Sequence, residues 1–143
     1  MDCFESIAPV IMIIAQISDT HLAFDAPDAE QHVSELASTI TDINAFNPPA
    51  DVIVHTGDIV NNGRRDEYAQ AVAILAGARA PVYVLPGNKD DRANLRAAFF
   101  ARSYFISEFI DYAIEDFPVR LIALTRLFRA AIAAGSVRNR RGV

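Results

Sequence analysis

The sequence has little sulfur and no long apolar segment. Cys3 is the single cysteine among 143 residues, which excludes an internal disulfide framework and is compatible with a reducing compartment. The longest apolar run, residues 7–15, is much shorter than the roughly 18–20 residues that cross a bilayer. Acidic rather than basic residues precede it, which argues against a signal peptide. We therefore expect a cytoplasmic protein with no membrane partner.

Basic side chains are scarce outside the last 18 residues. Residues 126–143 contain five arginines and no acid, so the other 125 residues hold 8 basic and 18 acidic side chains, a net charge of −10. Binding to a phosphate backbone depends on lysine and arginine, so we expect no nucleic-acid partner. The acidic body is better suited to cations, and the basic tail is interpreted as a solvated end.

Three short apolar runs alternate with segments of helical periodicity. The runs suit buried strands of a parallel sheet and comprise residues 11–18, 52–56 and 82–85. Apolar residues recur every three or four positions after the first two runs, at Val33, Leu36, Ala37, Ile40 and Ile43 and at Tyr68, Ala71, Val72 and Leu75. Asp28 is the expected cap of the first helix, and a third helix is predicted from residue 90.

This alternation predicts an α/β fold of right-handed βαβ units. Residues 108–124 then predict a β-hairpin that turns at residues 116–118. The length and the 52% content of hydrophobic residues fit one domain with a sufficient core.

Polar residues follow each of the three predicted parallel strands. They are Asp19 and His21 after the first, Asp58 after the second and Asn88 after the third. The carboxyl ends of parallel strands meet at one edge of a sheet, so we expect these side chains to converge. Carboxylate, imidazole and amide groups together suit a divalent ion such as Mn, Fe, Zn or Co. On an extended segment, Asp19 and His21 would point the same way.

Two other interpretations of these residues compete with a metal site. Each polar group alone is more often a turn or a helix cap, and the prediction depends on all three occurring in this order. A nucleotide-binding βαβ module is disfavoured, because the turn after the first strand lacks the glycines that let a backbone bind phosphate.

The segments QISDTHL, VHTGDIVNNG and LPGNKDD resemble the first three signature blocks of the calcineurin-like metallophosphoesterases. The resemblance covers residues 12–124 and is strongest to the bacterial cyclic-nucleotide phosphodiesterase branch. It implies the first half of a four-layer αββα sandwich. It also implies two divalent ions that activate a hydroxide to hydrolyse a small phosphodiester, such as a 3′,5′-cyclic nucleotide. By this resemblance Asp19 and His21 bind the first ion, Asp58 bridges both, and Asn88 binds the second.

Lys89 stands where the third block of the family commonly has histidine. The resemblance therefore makes Lys89 the candidate catalytic residue, which would neutralise phosphate charge or donate a proton. The alternative is a solvated lysine that pairs with Asp90 or Asp91.

Histidine is missing from the second half of the chain. The family supplies further metal-binding histidines there, but the three in this sequence are His21, His32 and His55. We expect His32 on the surface and His55 in the core or beside the ligands. The first ion then keeps three protein ligands and the second keeps two, so we expect one ion or none here and weak or no activity.

The composition changes abruptly near residue 125. We expect an extension at residues 1–11, a partial phosphoesterase domain at 12–124 and an Ala/Arg-rich tail at 125–143. This break, together with the missing histidines, suggests a frameshifted or truncated gene product. The alternative to an enzyme is a non-catalytic α/β fragment that associates with another chain through an exposed sheet edge.

Overall fold

The computed structural model describes residues 11–99 and 110–125. Within these ranges the elements follow the predicted order of three β–α pairs and a hairpin. They are β1 (Ile14–Ile17), α1 (Ala29–Asn44), β2 (Val52–His55), α2 (Arg65–Leu75), β3 (Val82–Val84), α3 (Arg92–Ala98), β4 (Tyr112–Ile114) and β5 (Leu121–Ala123). The predicted α/β class is confirmed, and the order agrees with the first half of a metallophosphoesterase fold. The proposed extension at 1–11 and the basic tail lie almost wholly outside the described residues.

The strands form two sheets. β1, β2 and β3 are parallel and adjacent in that order, with Ile14 opposite Val52 and Ile53 opposite Val82. β4 and β5 form a separate antiparallel pair in which Tyr112 lies opposite Ala123. Parallel pairing brings the carboxyl ends of β1, β2 and β3 to the same edge, which is where the predicted site residues follow.

Strand β1 is shorter and more exposed than its sequence predicted. The apolar run at 11–18 suggested a strand that is buried on both faces, but β1 covers Ile14–Ile17 and only Ala15 in it is buried. Ile14 is 44% exposed, because β1 lies at the edge of the sheet and pairs with β2 alone among the described strands. An apolar run indicates that a segment forms a strand, but it does not show how many strands lie beside it. The prediction that β1 is buried was therefore wrong.

The helices cover the sheet with the apolar faces that their periodicity predicts. Leu36, Ile40 and Ile43 of α1 are buried, as are Tyr68 and Ala71 of α2. Asp91 caps α3, since its carboxylate accepts the Asn94 N–H. Asp28 stands at the N-cap of α1, but its carboxylate accepts no capping hydrogen bond there and lies 3.5 Å from His32 Nε2. The predicted side-chain cap of α1 is therefore wrong.

The hydrophobic core joins both sheets. It includes Ile53 of β2, Val84 of β3, Leu95 of α3 and the inward residues Tyr112 and Ile114 of β4. The Tyr112 hydroxyl donates a hydrogen bond of 2.9 Å to the Val84 carbonyl, which fixes the hairpin to the parallel sheet. No helix within the described residues is both long enough and apolar enough to cross a bilayer.

Candidate metal centre

The turns that follow β1 and β2 contain an unusual backbone conformation at the predicted ligands. Asp19 has a φ of 57°, His21 of 44° and Asp58 of 52°, and these are the non-glycine residues with positive φ within the described ranges. Left-handed backbone is strained for most residues other than glycine, although aspartate and histidine tolerate it better than most. Strain of this kind concentrates at functional sites, where the surrounding structure enforces it.

This conformation corrects the predicted geometry of the Asp19–His21 segment. The two side chains were expected to point the same way from an extended segment, but neither residue has extended backbone. They nevertheless lie close together, with 3.7 Å between His21 Nε2 and Asp19 Oδ1. The left-handed backbone, and not the alternation of side chains along a strand, brings Asp19 and His21 together.

The structure brings Asp19, His21 and Asp58 together. One ligand atom from each lies within 4.8 Å of the other two, although Asp58 is far from the others in sequence. Asp58 is buried, His21 is half-buried and Asp19 is exposed, so the cluster opens to solvent on the Asp19 side. A carboxylate, a second carboxylate and an imidazole at this spacing can share one divalent cation.

One nitrogen of the His21 ring has no partner among the described residues. This nitrogen is Nδ1, and it is buried. Buried polar atoms are almost always satisfied, and an exception needs an explanation such as a missing ion or water. The donor atoms, the strained backbone and this unpartnered nitrogen all fit a metal site.

The two ligand turns are paired through their backbones. The Asp19 N–H donates to the Gly57 carbonyl, and the His21 N–H donates to the Asp58 carbonyl, each at 3.0 Å. Backbone pairing then continues to an isolated bridge between Leu22 and Val60. The β1–β2 alignment therefore extends past the ends of the strands and fixes Asp19 and His21 against Asp58.

His55 is completely buried beneath these turns. Its Nδ1 accepts the Gly57 N–H at 3.3 Å, so the ring proton lies on Nε2 and is donated to Thr20 Oγ1 at 2.9 Å. Thr20 in turn donates to the Ile59 carbonyl. Burial lowers the pKa of His55 from 6.5 to about 4, despite the opposing effect of the Asp90, Asp19 and Asp58 carboxylates. His55 is thus a neutral support of both turns, in agreement with its predicted place in the core or beside the ligands.

The turn after β3 lies directly against Asp58. The Lys89 N–H donates to Asp58 Oδ1 at 2.8 Å, which places the backbone next to Asn88 beside the cluster. The approach is possible because Gly57 and Gly87 meet without side chains. A Cβ on Gly57 would lie 2.6 Å from the Gly87 nitrogen, and a Cβ on Gly87 would overlap the Asp58 carboxylate. The glycines before Asp58 and Asn88 thus permit the close backbone approach expected of them.

Asn88 and Lys89 are both exposed in the turn that follows β3. Their roles as second-ion ligand and catalytic residue remain predictions. The acids that were considered as partners for Lys89 bind backbone N–H groups instead: Asp90 accepts from Gly87 and Asp91 from Asn94. Lys89 is exposed and forms no ion pair among residues 11–99 and 110–125.

His32 is not a simple surface residue. It is half-buried on α1, and its Nδ1 lies 3.2 Å from the His21 carbonyl. A carbonyl can only accept, so the Nδ1 proton of His32 is donated to it. The polar neighbours of His32 suggested exposure, but the fold turns this ring toward the strained turn.

Three residues that support these turns were not predicted to do so. Asp90 accepts hydrogen bonds from both neighbouring turns, and the buried Tyr68 donates to it at 2.9 Å. Burial, with the Asp90 carboxylate beside it, raises the pKa of Tyr68, so its hydroxyl remains a donor. Glu67 is completely buried, and its carboxylate accepts the Asn62 and Arg64 N–H groups. Glu67 is the third residue of α2, where an acid commonly accepts the N-cap N–H, and this position is the sequence feature that could have predicted its role.

Residues 12–129 match the sequence model of the family described as calcineurin-like phosphoesterase. The chain belongs to this family. The match covers most of the chain and confirms the resemblance that the three motifs indicated.

Individual relatives are named as phosphodiesterases. The chain is 36% identical over 120 residues to a probable glycerophosphodiester phosphodiesterase GpdQ of Arcobacter nitrofigilis, which covers 79% of this chain and 43% of the relative. It is 34% identical over 93 residues to a probable cyclic nucleotide phosphodiesterase of Rhodococcus erythropolis, covering 59% and 30%. Identity to the 3′,5′-cyclic adenosine monophosphate phosphodiesterase CpdA of Haemophilus influenzae is 32%, covering 61% and 32%. The chain spans less than half the length of each relative.

Proposed function

We propose that this chain carries the first metal-binding part of a metal-dependent phosphodiesterase. The observation that carries the proposal is the cluster of Asp19, His21 and Asp58 at one edge of the parallel sheet, with a buried His21 nitrogen that no described group satisfies. Without a cation, two carboxylates at this distance would repel each other and Asp58 would be poorly solvated.

Asp19, His21 and Asp58 are the residues that would hold the first divalent ion. The Lys89 N–H donates to Asp58 Oδ1 at 2.8 Å, so this bond helps to orient the carboxylate that would bind the ion. Asn88, on the adjacent turn, is proposed as a ligand of a second ion. In such sites divalent ions polarise phosphoryl oxygens and make water a nucleophile near neutral pH.

Lys89 is proposed to bind the phosphate of the substrate. Its side chain is exposed, and its N–H donates to Asp58 Oδ1, which places its backbone against the cluster. An ammonium group here would neutralise phosphate charge as a point charge. The role predicts that Lys89→Gln weakens substrate binding more than metal binding.

The substrate class proposed is a small phosphodiester. The names of the relatives include a glycerophosphodiester phosphodiesterase and cyclic-nucleotide phosphodiesterases, and either substrate presents a single diester phosphate to an open site. A cytoplasmic location is part of the same proposal. Activity is expected to be weak, since the second ion would have only Asp58 and Asn88 from the described motifs.

The test is a metal-binding and hydrolysis assay on the purified chain. We expect Mn²⁺ binding by calorimetry and slow, Mn²⁺-dependent hydrolysis of bis(p-nitrophenyl) phosphate. Asp58→Ala should abolish both. Asp116→Ala, which removes an exposed carboxylate in the hairpin turn, should change neither. A wild-type chain that binds no Mn²⁺ would refute the proposal.

A second candidate function is association with another chain. Ile122 is 63% exposed and Leu124 is 74% exposed, and they lie on the same face of the hairpin. The free side of β1 adds an unpaired strand edge within the described sheet. Exposed apolar residues and open edges favour association. Size-exclusion chromatography with light scattering tests this candidate, and a monomer at high concentration would contradict it.

A further inference from the structure

We propose that Asp90 is a positioning residue of the metal centre, whose carboxylate fixes the Asp58 turn against the Asn88 turn. This inference rests on the proposed function. It concerns a residue that is not a member of the ligand cluster.

The Asp90 carboxylate accepts hydrogen bonds from three separate segments. Oδ2 accepts the Gly87 N–H at 2.8 Å and the Ile59 N–H at 3.2 Å. Oδ1 accepts the Tyr68 hydroxyl at 2.9 Å and the Val60 N–H at 3.4 Å. Hydrogen bonds to an ionised acceptor are about twice as strong as those between neutral groups, so this group is a strong cross-link.

The bonded amides stand next to the proposed ligands. Ile59 and Val60 directly follow Asp58, and Gly87 directly precedes Asn88. Asp58 returns the contact, because its Oδ1 accepts the Lys89 N–H at 2.8 Å. Each turn therefore sends one carboxylate to the backbone of the other, and the two ligand turns form a reciprocal pair.

This pairing explains how Asp58 is held in its strained conformation. Asp58 has a φ of 52°, and a single residue in this region is stable only when its surroundings fix it. Asp90 holds the two amides that follow Asp58, and the buried Tyr68 on α2 holds Asp90. The position of Asp58 is thus set by a helix as well as by its own turn.

The neighbouring residue Asp91 supplies a matched control. It is also an aspartate in the β3–α3 turn, but its Oδ1 accepts the Asn94 N–H and caps α3. Asp90→Asn replaces one accepting oxygen by an amide group that cannot accept. Asp91→Asn makes the same chemical change at a helix cap. We expect Asp90→Asn to weaken Mn²⁺ binding by about tenfold or more, and Asp91→Asn to leave it within about twofold of wild type.

A second variant separates positioning from general stability. Tyr68→Phe removes the hydroxyl that holds Asp90 Oδ1 and keeps the buried ring. It should weaken Mn²⁺ binding by a few-fold in the wild-type chain and should add little to Asp90→Asn. Independent losses of stability would instead add.

The Mn²⁺ affinities of these variants decide whether Asp90 positions the metal centre. Wild-type Mn²⁺ affinity in folded Asp90→Asn, or an equal loss in Asp91→Asn, overturns it. If Asp90→Asn does not fold, unchanged affinity in Tyr68→Phe overturns it. If the wild-type chain binds no Mn²⁺, the proposed function fails. Amide exchange in metal-free protein then tests Asp90 separately: Ile59, Val60 and Gly87 should exchange faster in Asp90→Asn than in Asp91→Asn, and equal rates refute the cross-link.

Discussion

Two regions of the chain hold their conformation in different ways. One is the set of turns at the carboxyl edge of the parallel sheet, and the other is the β4–β5 hairpin. In the turns, polar contacts join three segments, and His55 and Asp90 each bond to more than one of them. In the hairpin, the inward Tyr112 and Ile114 are buried while Ile122 and Leu124 face solvent. The turns are fixed mainly by directional bonds at defined atoms, whereas the hairpin is fixed mainly by burial of one face, with the Tyr112 hydrogen bond to Val84 in addition. Substitutions should therefore have large effects in the turns and small effects on the outer face of the hairpin.

The largest effect is expected at Gly87. A Cβ there would overlap the Asp58 carboxylate and backbone nitrogen, so Gly87→Ala must push the two ligand turns apart. We expect a loss of about 3 kcal/mol or more in the free energy of unfolding, measured by urea denaturation, together with loss of Mn²⁺ binding. Gly77→Ala is the milder comparison, since a Cβ just after α2 would lie 3.2 Å from Ile74 O, a tight contact but not an overlap. Equal stability of both variants would show that the turns are not closely apposed.

Acidification should destabilise the turns through His55. Its pKa is lowered from 6.5 to about 4, so the folded state holds the ring neutral while the unfolded state binds a proton. The stabilisation that comes from a neutral His55 ring is fully present above pH 6.5. As the pH falls from 6.5 to about 4, the free energy of unfolding should decrease by about 3 kcal/mol in total. Urea midpoints between pH 7.5 and 4.5 measure it. In His55→Gln, the urea midpoint should change less between pH 6.5 and 5 than in the wild-type chain. If the midpoint depends on pH as strongly as in the wild type, other groups cause the effect.

A moderate effect is expected where the hairpin meets the sheet. Tyr112→Phe removes the buried hydrogen bond to the Val84 carbonyl, which should cost about 1 kcal/mol of unfolding free energy. Mn²⁺ affinity should not change, because the bond lies outside the ligand turns. A large loss of affinity would mean that the hairpin and the metal centre are coupled.

The smallest effect is expected on the outer face of the hairpin. Leu124→Ser should change the unfolding free energy of a monomeric chain by less than about 0.5 kcal/mol, since the side chain is mostly exposed. If the chain associates through this face, the same variant should lower the dimer fraction in light scattering at matched concentration. A loss of monomer stability would contradict the solvent-facing position of Leu124.

The order of the elements was predictable because it depends on local patterns. Leu36, Ile40 and Ile43 mark one face of α1, and the polar residues after each apolar run mark the carboxyl edge of the sheet. Convergence of Asp19, His21 and Asp58 followed from parallel pairing alone. These predictions needed only the periodicity of helices and the geometry of parallel strands.

Long-range contacts were not predictable from the same patterns. Asp90 bonds to Ile59 across 31 positions, and nothing in its local sequence distinguishes it from Asp91. The left-handed backbone at Asp19 and His21 depends on amides that are held by the β2 turn. His32 is turned toward His21 by the placement of α1, which its polar neighbours do not record.

The bridge between Leu22 and Val60 sets a rule for changes in chain length. The regular ladder of β1 and β2 ends at Ile17 and His55, and the isolated bridge follows five positions later in both segments, at Leu22 and Val60. Equal spacing lets the register resume without a shift. One residue added to either segment would have to bulge out or shift the Leu22–Val60 bridge. The equal lengths of the two segments therefore keep Asp19 and His21 aligned with Asp58.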